Sequence, residues 1–173
     1  MKSLSLFAAL AAVLSVSAAQ ISSVKVSSLD DFGGDVGAVV SRCQTKAGIE
    51  YDAVAVARDV TTLDDSGEFE EVHVDVQPSA SGGVDVTFAV KRKLRYHAPL
   101  EVVGATALSE SKVSSEAGLK DGYLYGQGDL AEAAGKVREA YQKKGYSDVR
   151  VVPSVESLGG NDCRVIFTVD EGG

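Results

Sequence analysis

An internal repeat is the feature that most constrains what this 173-residue chain can fold into. Four landmarks occur twice, in one order, at offsets of 74 to 79 residues: a Gly-x-x-Tyr motif, an aromatic residue before alternating valines, a glycine pair, and a Val-x-Phe-x-Val run. They begin at Gly48 and Gly122, Phe69 and Tyr146, Gly82 and Gly159, and Val86 and Val165. Such self-similarity indicates repeated units of supersecondary structure. The sequence therefore predicts two copies of one module.

The first copy has signals in the order strand, helix, helix, strand, strand. Its first helix is predicted from four apolar residues at helical spacing, which are Val36, Val39, Val40 and Cys43. Asp52 is placed to cap a second helix that ends at Gly67. The apolar stripe of this helix is Ala53, Val56, Val60 and Leu63. Over 72–77 valines alternate with polar residues, which is the period of a half-buried strand, and 84–90 form the return strand.

The second copy repeats this order. Ser109 is placed to cap its first helix, Asp129 and Glu132 resemble a capping box for a longer second helix, and Gly145 ends that helix. The longer helix has an apolar stripe of Leu130, Ala133, Ala134, Val137, Ala140 and Tyr141. Val149 and Val151 begin the next strand, and alternating apolar residues over 163–169 form the last one.

Together these patterns predict an α+β fold of two tandem β-α-α-β-β modules, each a three-stranded mixed sheet with two helices packed on one face. The predicted domains are residues 20–94 and 95–173. Cys43 and Cys163 fall on apolar faces of different modules, so the prediction for both is core packing. A disulfide bridge between the modules is the alternative.

Residues 1–19 are typical of a secretory signal peptide. Lys2 precedes an apolar run from Leu6 to Leu14, and small residues, Ser17 and Ala19, stand before the expected cut. The run is too short for a comfortable membrane span, so the mature chain is expected to be exported and to contain no span. The formal net charge of −8 argues against nucleic-acid binding, which requires a clustered basic surface.

No catalytic or metal-binding constellation is evident. His73 and His97 lie in different modules and are expected to be solvated. The carboxylates of 64–71 lack the spacing and tight glycine turn of a calcium loop, so a solvated acidic rim is preferred over a cation site. The prediction is a protein without enzymatic activity or cofactor. A basic cluster over 91–95 is interpreted as a solvated hinge, or alternatively as a contact for an acidic partner.

At these residues the chain resembles a pair of polypeptide-transport-associated (POTRA) domains, the periplasmic part of outer-membrane protein assembly factors of the BamA type. The resemblance rests on the segments 48–76, 100–125, 140–155 and 165–173. The opening "VVG" at 102–104 and the closing "VDEG" at 169–172 are typical of the module ends. The first copy departs from the pattern, with Ser27-Ser28 where the second has Val103-Gly104.

The resemblance implies further modules and a membrane barrel, for which no residues remain beyond Gly173. Two readings stay open. In one, the chain is a fragment of a longer protein tethered at the outer membrane. In the other, it is a free-standing periplasmic pair.

The predicted binding site is the backbone of two edge strands. Pro78 and Pro153 cannot donate to a sheet ladder, which places their strands at sheet edges. The resemblance implies that partners add there as extra strands. The predicted residues are Val72, His73, Val74, Asp75, Val76, Gln77, Val149, Arg150, Val151 and Val152.

The expected partners are unfolded outer-membrane proteins, assembly lipoproteins or other POTRA modules in the periplasm. The alternative is a structural spacer or docking module for one fixed partner, in a two-partner secretion or cell-division complex.

Overall fold

The computed structural model describes residues 19–32 and 35–173. The predicted signal peptide lies outside the described residues except for Ala19. The chain divides into two compact units. In the part of the chain that is described, the first contains 19–31 and 35–92, and the second contains residue 32 and 93–173. The change of unit between Arg92 and Lys93 lies two residues before the junction predicted from the sequence.

The first unit contains a three-stranded mixed sheet with helical segments on one face. Its elements are β1 (Ile21–Ser28), a 3₁₀ helix (Gly37–Arg42), α1 (Ala53–Asp65), β2 (Phe69–Pro78) and β3 (Val84–Arg92). The strand order is β1-β3-β2, with β1 parallel and β2 antiparallel to β3. Val86, Phe88 and Val90 of β3 are fully buried beneath α1, so the central strand supplies the middle of the core.

The predicted first helix of this unit is a 3₁₀ helix instead of an α-helix. Val36 and Val39, three residues apart, are buried, whereas Val40 is only partly buried, as expected for three residues per turn. The next backbone N–H groups cannot extend the helix because Asp59 binds them: Gln44 N and Thr45 N donate to its carboxylate over 2.9 and 2.8 Å.

The second helix follows the prediction at both ends. The Asp52 carboxylate accepts from Val54 N over 2.8 Å, and Gly67 follows the helix at φ 76°. Val56, Val60 and Leu63 are buried, but the expectation for Ala53 is wrong because Ala53 is exposed. Side chains of a first turn point back past the start of a helix, which here takes Ala53 away from the core.

The second unit contains a larger sheet than predicted, with five strands. Its elements are β4 (Leu94–Tyr96), β5 (Glu101–Val103), α2 (Glu110–Ala117), β6 (Leu124–Tyr125), α3 (Gln127–Lys143), β7 (Arg150–Gly159) and β8 (Asp162–Asp170). β8 is central, with β7 antiparallel on one side and β4 and β5 parallel to separate stretches of its other side. The additional strands are β4 and β6, which pair with each other.

One of the two additional strands, β4, overlaps the basic segment interpreted as a solvated hinge. Leu94 and Tyr96 are buried and Arg95 is exposed, which is strand alternation over only three residues. Such a short run is stable only because it is paired on both sides: Arg95 N donates to Asn161 O over 2.7 Å, and Tyr96 N donates to Tyr123 O over 2.9 Å.

The helices of the second unit cover one face of this sheet. Ser109 caps α2 as predicted, its hydroxyl accepting from Lys112 N over 3.2 Å. The longer helix begins earlier than predicted: Gly126 is its N-cap, and Asp129 is the third helical residue, whose carboxylate accepts from Gly126 N over 2.7 Å. Its predicted apolar stripe is buried except for the partly buried Ala140. Gly145 follows the helix at φ 102°.

Each unit has its own apolar core, and each core contains one cysteine. Cys43 and Cys163 are both free and buried, as predicted. Burial raises the pKa of both thiols, so neither is a ready nucleophile. Within residues 19–32 and 35–173, no helix combines the length and the apolar character needed to cross a bilayer.

Candidate partner-binding strand edges

The first predicted edge, residues 72–77, lies within β2. Among the described residues β2 pairs only with β3, and its opposite side carries no strand. Val72, Val74 and Val76 face the core of the first unit, and Val74 is the most buried of them at 9 % exposure. His73, Asp75 and Gln77 lie on the opposite, helix-free face.

The hydrogen bonds of β3 show which backbone groups of β2 point outward. Val84 N donates to Gln20 O, and Val90 O accepts from Leu29 N, each over 2.9 Å, so both residues direct these groups toward β1. Their partners on β2 are Pro78 and Val72, in a register without a shift from 71 to 78. Since pairs alternate in an antiparallel ladder, Val72, Val74 and Val76 direct their N–H and C=O groups away from the sheet.

The second predicted edge is β7, which pairs only with β8 among the described residues. Arg150, Val151 and Val152 lie in this strand as predicted, and Val152 is 57 % exposed. The prediction that Val149 belongs to this edge strand is wrong. Val149 precedes β7, and its side chain lies in the core with 4 % exposure. The reason is that Val149 leaves the turn at Ser147–Asp148 facing the core, and the ladder begins only at Arg150.

Proline interrupts the outward backbone row of β7. Cys163 O accepts from His97 N over 3.0 Å, so Cys163 and every second residue after it in β8 face β4 and β5. Their partners on β7 therefore point outward, namely Val151, Pro153, Val155 and Ser157. Pro153 has no N–H, so this row lacks a donor at its second position.

The two edges also differ in their helix-free side-chain rows. On β2 this row is Glu71, His73, Asp75 and Gln77. Glu71 contacts His73 at 3.2 Å and Lys91 at 4.0 Å, while the residue opposite Asp75 is Thr87.

On β7 the charges of the corresponding row are matched by β8. Arg164 lies 3.5 Å from Glu156, and Arg150 stands opposite Asp170. Between Arg150 and Glu156 the row carries Val152 and Ser154, and Val152 is 57 % exposed.

The register of β2 on β3 and of β7 on β8 corrects the residue-by-residue alignment of the two sequence copies. Val74 pairs with Phe88, whereas Pro153 pairs with Phe167. Val74 therefore corresponds to Pro153 and not to Val151, the match suggested by the first valines after the aromatic residue. The reason is that β2 begins at Phe69 itself, whereas Tyr146 is followed by the turn at Ser147–Asp148 and by Val149 before β7 begins.

The opening and closing motifs of the second copy meet in the structure, a relationship that sequence reasoning missed. Gly104 has φ +85°, and a Cβ there would lie 2.2 Å from Val169 O. The Glu171 carboxylate accepts from Thr106 N over 2.6 Å, Ala107 N over 2.7 Å and the Tyr141 hydroxyl over 2.9 Å, and also from the Thr106 hydroxyl. These bonds, with Thr106 contributing most, lower the pKa of Glu171 to about 2.

The remaining polar candidates form ordinary surface contacts. His97 Nε2 lies 2.8 Å from Asp162 Oδ1, and Arg42 lies 2.9 Å from Glu68 in the acidic run. In the basic segment, Lys91 contacts Glu70 at 3.4 Å and Arg95 donates to Gly122 O over 2.7 Å. Over the described residues, no group of three potential ligands is placed to hold a metal ion.

Comparison with known proteins gives one family match. Residues 96–172 match the POTRA family model, described as surface antigen variable number repeat. An outer membrane protein assembly factor BamA from Nitratidesulfovibrio vulgaris (strain Hildenborough) is 26 % identical over 153 residues, which are 88 % of this chain and 19 % of that protein. The chain thus spans about a fifth of the length of this curated relative.

Solved structures of similar chains were also found. POTRA1-2 of the periplasmic domain of Omp85 from Anabaena has a TM-score of 0.48 and 20 % identity, covering 90 % of this chain and 96 % of that one. The N-terminal domain of Omp85 from Thermosynechococcus elongatus has a TM-score of 0.48 and 21 % identity, covering 88 % and 63 %.

Proposed function

We propose that the chain, whose residues 96–172 match the POTRA family model, is a periplasmic protein-binding module of an outer-membrane β-barrel protein assembly or translocation machinery. In this proposal the chain is exported and stands near the outer membrane. It binds segments of unfolded outer-membrane proteins, assembly lipoproteins or other POTRA modules. Its role is binding, without catalysis.

The first unit is, in the same proposal, a second POTRA-like module. Its sheet has a parallel strand and an antiparallel strand on either side of a central one, β1-β3-β2, and β5-β8-β7 has the same arrangement in the second unit. Both central strands bury alternate apolar residues that include a phenylalanine, Val86, Phe88 and Val90 in β3 and Cys163, Val165, Phe167 and Val169 in β8. The similarity of pairing supports a tandem repeat more strongly than the residue matches do.

Strand addition is the proposed mode of binding, and the outward backbone row of β2 carries it. Val72, Val74 and Val76 each direct an N–H and a C=O away from the sheet, on a side that no described strand occupies. An extended segment can pair with these groups whatever its side chains, since the pairing uses backbone alone. That property suits a receptor for many unfolded clients.

The expected affinity is low. Roughly four new hydrogen bonds at about 1 kcal/mol each give about 4 kcal/mol. The lowest estimates of the cost of association are also about 4 kcal/mol. Stable capture therefore requires side-chain contacts or several linked modules, which raise the effective concentration of a second edge.

The test is an amide NMR titration with extended peptides from unrelated outer-membrane proteins. Strand addition predicts shifts at the amides of Val72, Val74 and Val76, and their loss in Val74→Pro. The Val74 N–H points outward, so proline there removes one donor without breaking a bond to β3. Val151→Pro tests the second edge in the same way. Val54→Ala, at an exposed position of α1, is the matched control.

Circular dichroism must show that each variant is folded. Unchanged peptide binding in folded Val74→Pro and Val151→Pro would rule out strand addition. A dock for one fixed partner would bind none of the unrelated peptides.

A further inference from the structure

The two open edges are unequal as receptors for a strand. On β7 the outward row is Val151, Pro153, Val155 and Ser157, so its second position offers an acceptor but no donor. A strand added there would leave its own carbonyl unpaired opposite Pro153. On β2 the row of Val72, Val74 and Val76 is uninterrupted, and proline occurs only at its end, at Pro78. The uninterrupted edge is the better template.

The β2 edge also provides apolar surface for an added strand. Val72 and Val76 belong to the core face and are only partly buried, because no further strand covers that side of β2. Side chains of an added strand that face the core would extend the apolar layer over them. Residues at alternate positions would face the opposite way, beside the row that begins at Glu71.

The charge of the helix-free row on β2 determines which side chains an added strand should carry beside it. Glu71 and Asp75 stand four residues apart on the outermost strand, on the same helix-free face. Opposite Asp75 the central strand has Thr87, so β3 supplies no cation there, and Glu71 shares Lys91 with Glu70. On β7, in contrast, β8 supplies opposite charges to both Arg150 and Glu156. Lys91 stands opposite Glu71 and is shared by two carboxylates, and Asp75 stands opposite no cation, so the row on β2 keeps an excess of negative charge that the row on β7 lacks.

From this asymmetry we propose that β2 of the first unit is the capture edge, and that it selects extended segments with Lys or Arg at alternate positions beside Glu71 and Asp75 and apolar residues on the other face. This rests on the proposed function, because it assumes strand addition. Opposite charges in neighbouring strands stabilise pairing, and like charges in the same place oppose it.

The experiment compares three end-blocked peptides of equal length, in which valine alternates with Lys, Thr or Glu. Each is titrated into the full chain at low and moderate salt while the amides of both edges are followed by NMR. The Lys peptide is expected to shift Val72, Val74 and Val76, and to bind about 2- to 30-fold more tightly than the Thr peptide, since two charge pairs are gained. The Glu peptide is expected to bind most weakly.

Two sets of variants distinguish the contribution of the carboxylates to selectivity from the contribution of the backbone N–H groups to pairing. Glu71→Gln with Asp75→Asn should remove the preference for Lys and keep binding of the Thr peptide. Glu156→Gln, on the other edge, should leave the preference intact. Pro153→Val restores the missing N–H, and is expected to add peptide-dependent shifts at Val151 and Val155 that the unaltered chain lacks.

The outcomes are distinct. Equal affinity for the Lys and Glu peptides, with shifts on β2, would overturn the selectivity and leave strand addition standing. Shifts on β7 in place of β2 would overturn the choice of edge. If none of the peptides binds at either edge, strand addition fails, and the selectivity fails with it.

Discussion

Tyr141 donates a hydrogen bond of 2.9 Å to Glu171, which joins the buried face of α3 to the residue that follows the last strand. Tyr141 is fully buried, and Tyr146 packs against its ring edge-to-face at 5.7 Å. The same carboxylate binds the backbone of Thr106 and Ala107, just before α2. One glutamate thus connects three segments of the second unit that are far apart in the chain.

Glu171→Gln is expected to lower the thermal stability of the second unit at neutral pH, because the charged acceptor of these bonds is lost. The pKa of Glu171 is lowered from 4.5 to about 2, so the folded state favours the ionised form. This contribution is complete above about pH 4.5 and is lost as pH falls through about 2. In calorimetry, the difference in unfolding temperature between the unaltered chain and Glu171→Gln should become smaller as pH falls over that range.

The control for this prediction is Glu156→Gln, at an exposed carboxylate of the same unit. It should have little effect at any pH, as is usual for surface pairs. If Glu171→Gln matches the unaltered protein from neutral to acid pH, the carboxylate does not stabilise the unit.

Tyr141 is expected to ionise well above the ordinary pKa of a tyrosine. Burial first, and then the hydrogen bond to Glu171, raise its pKa from 10 to about 12. The folded state favours the neutral phenol, so this stabilisation is complete below about pH 10 and is lost as pH rises through about 12. In an ultraviolet titration the ionisation near pH 12 should be missing from Tyr141→Phe, which should also lose about 0.5–1.5 kcal/mol of stability.

Tyr123→Phe is the matched control, since Tyr123 is 57 % exposed. Removing its hydroxyl should leave the ionisation near pH 12 in place and leave stability unchanged. The prediction for Tyr141 is wrong if all tyrosines ionise together near pH 10 while the chain is still folded.

Gly104→Ala is expected to be among the most destabilising single-methyl additions in this chain. Its positive φ disfavours any side chain, and the new Cβ would lie 2.2 Å from Val169 O. Gly118→Ala separates the two causes, because Gly118 also has a positive φ, +67°, but nothing lies within 4 Å of its added Cβ. Gly118→Ala should cost about 1–2 kcal/mol from the backbone alone, and Gly104→Ala distinctly more.

Gly135→Ala provides a control of opposite sign. Gly135 lies within α3 without a positive φ or a close contact, so alanine should stabilise by up to about 1 kcal/mol. Denaturant unfolding of the three variants measures the order. If Gly104→Ala and Gly118→Ala lower the free energy of unfolding equally, the contact with Val169 O is relieved without loss of stability.

Asp59→Ala is expected to destabilise the first unit by about 2–5 kcal/mol, because it leaves buried donors without an acceptor. Asp59 is 4 % exposed and accepts from Gln44 N, Thr45 N and the Thr45 hydroxyl, the last over 2.5 Å. Asp65→Ala, at an exposed position of the same helix, is the control and should have a small effect. Similar unfolding midpoints for the two variants would contradict this role of Asp59.

The edge strands show where sequence reasoning on the candidate site succeeded and where it stopped. Proline at 78 and 153 indicated strands at sheet edges, and the structure places β2 and β7 beside one neighbour each among the described residues. Which backbone groups point outward depended on bonds such as Val84 N to Gln20 O, between residues 64 positions apart. No local sequence pattern indicates which alternate residues of a strand direct their backbone groups outward. The inequality of the two edges therefore emerged only from the tertiary structure.

Local rules account for what the sequence determined by itself. Asp52 and Ser109 cap helices as predicted, and the stripe of α3 is buried, because caps and periodicity act within a few residues. The tertiary structure decided what depends on distant partners. Asp59 binds the N–H groups that follow a helix which is 3₁₀ where periodicity predicted an α-helix. The segment 94–96 became a strand through pairing on both sides, and Glu171 bound a loop 65 residues before it. A short element is marginal by itself, so the residues that it meets across the fold decide its state.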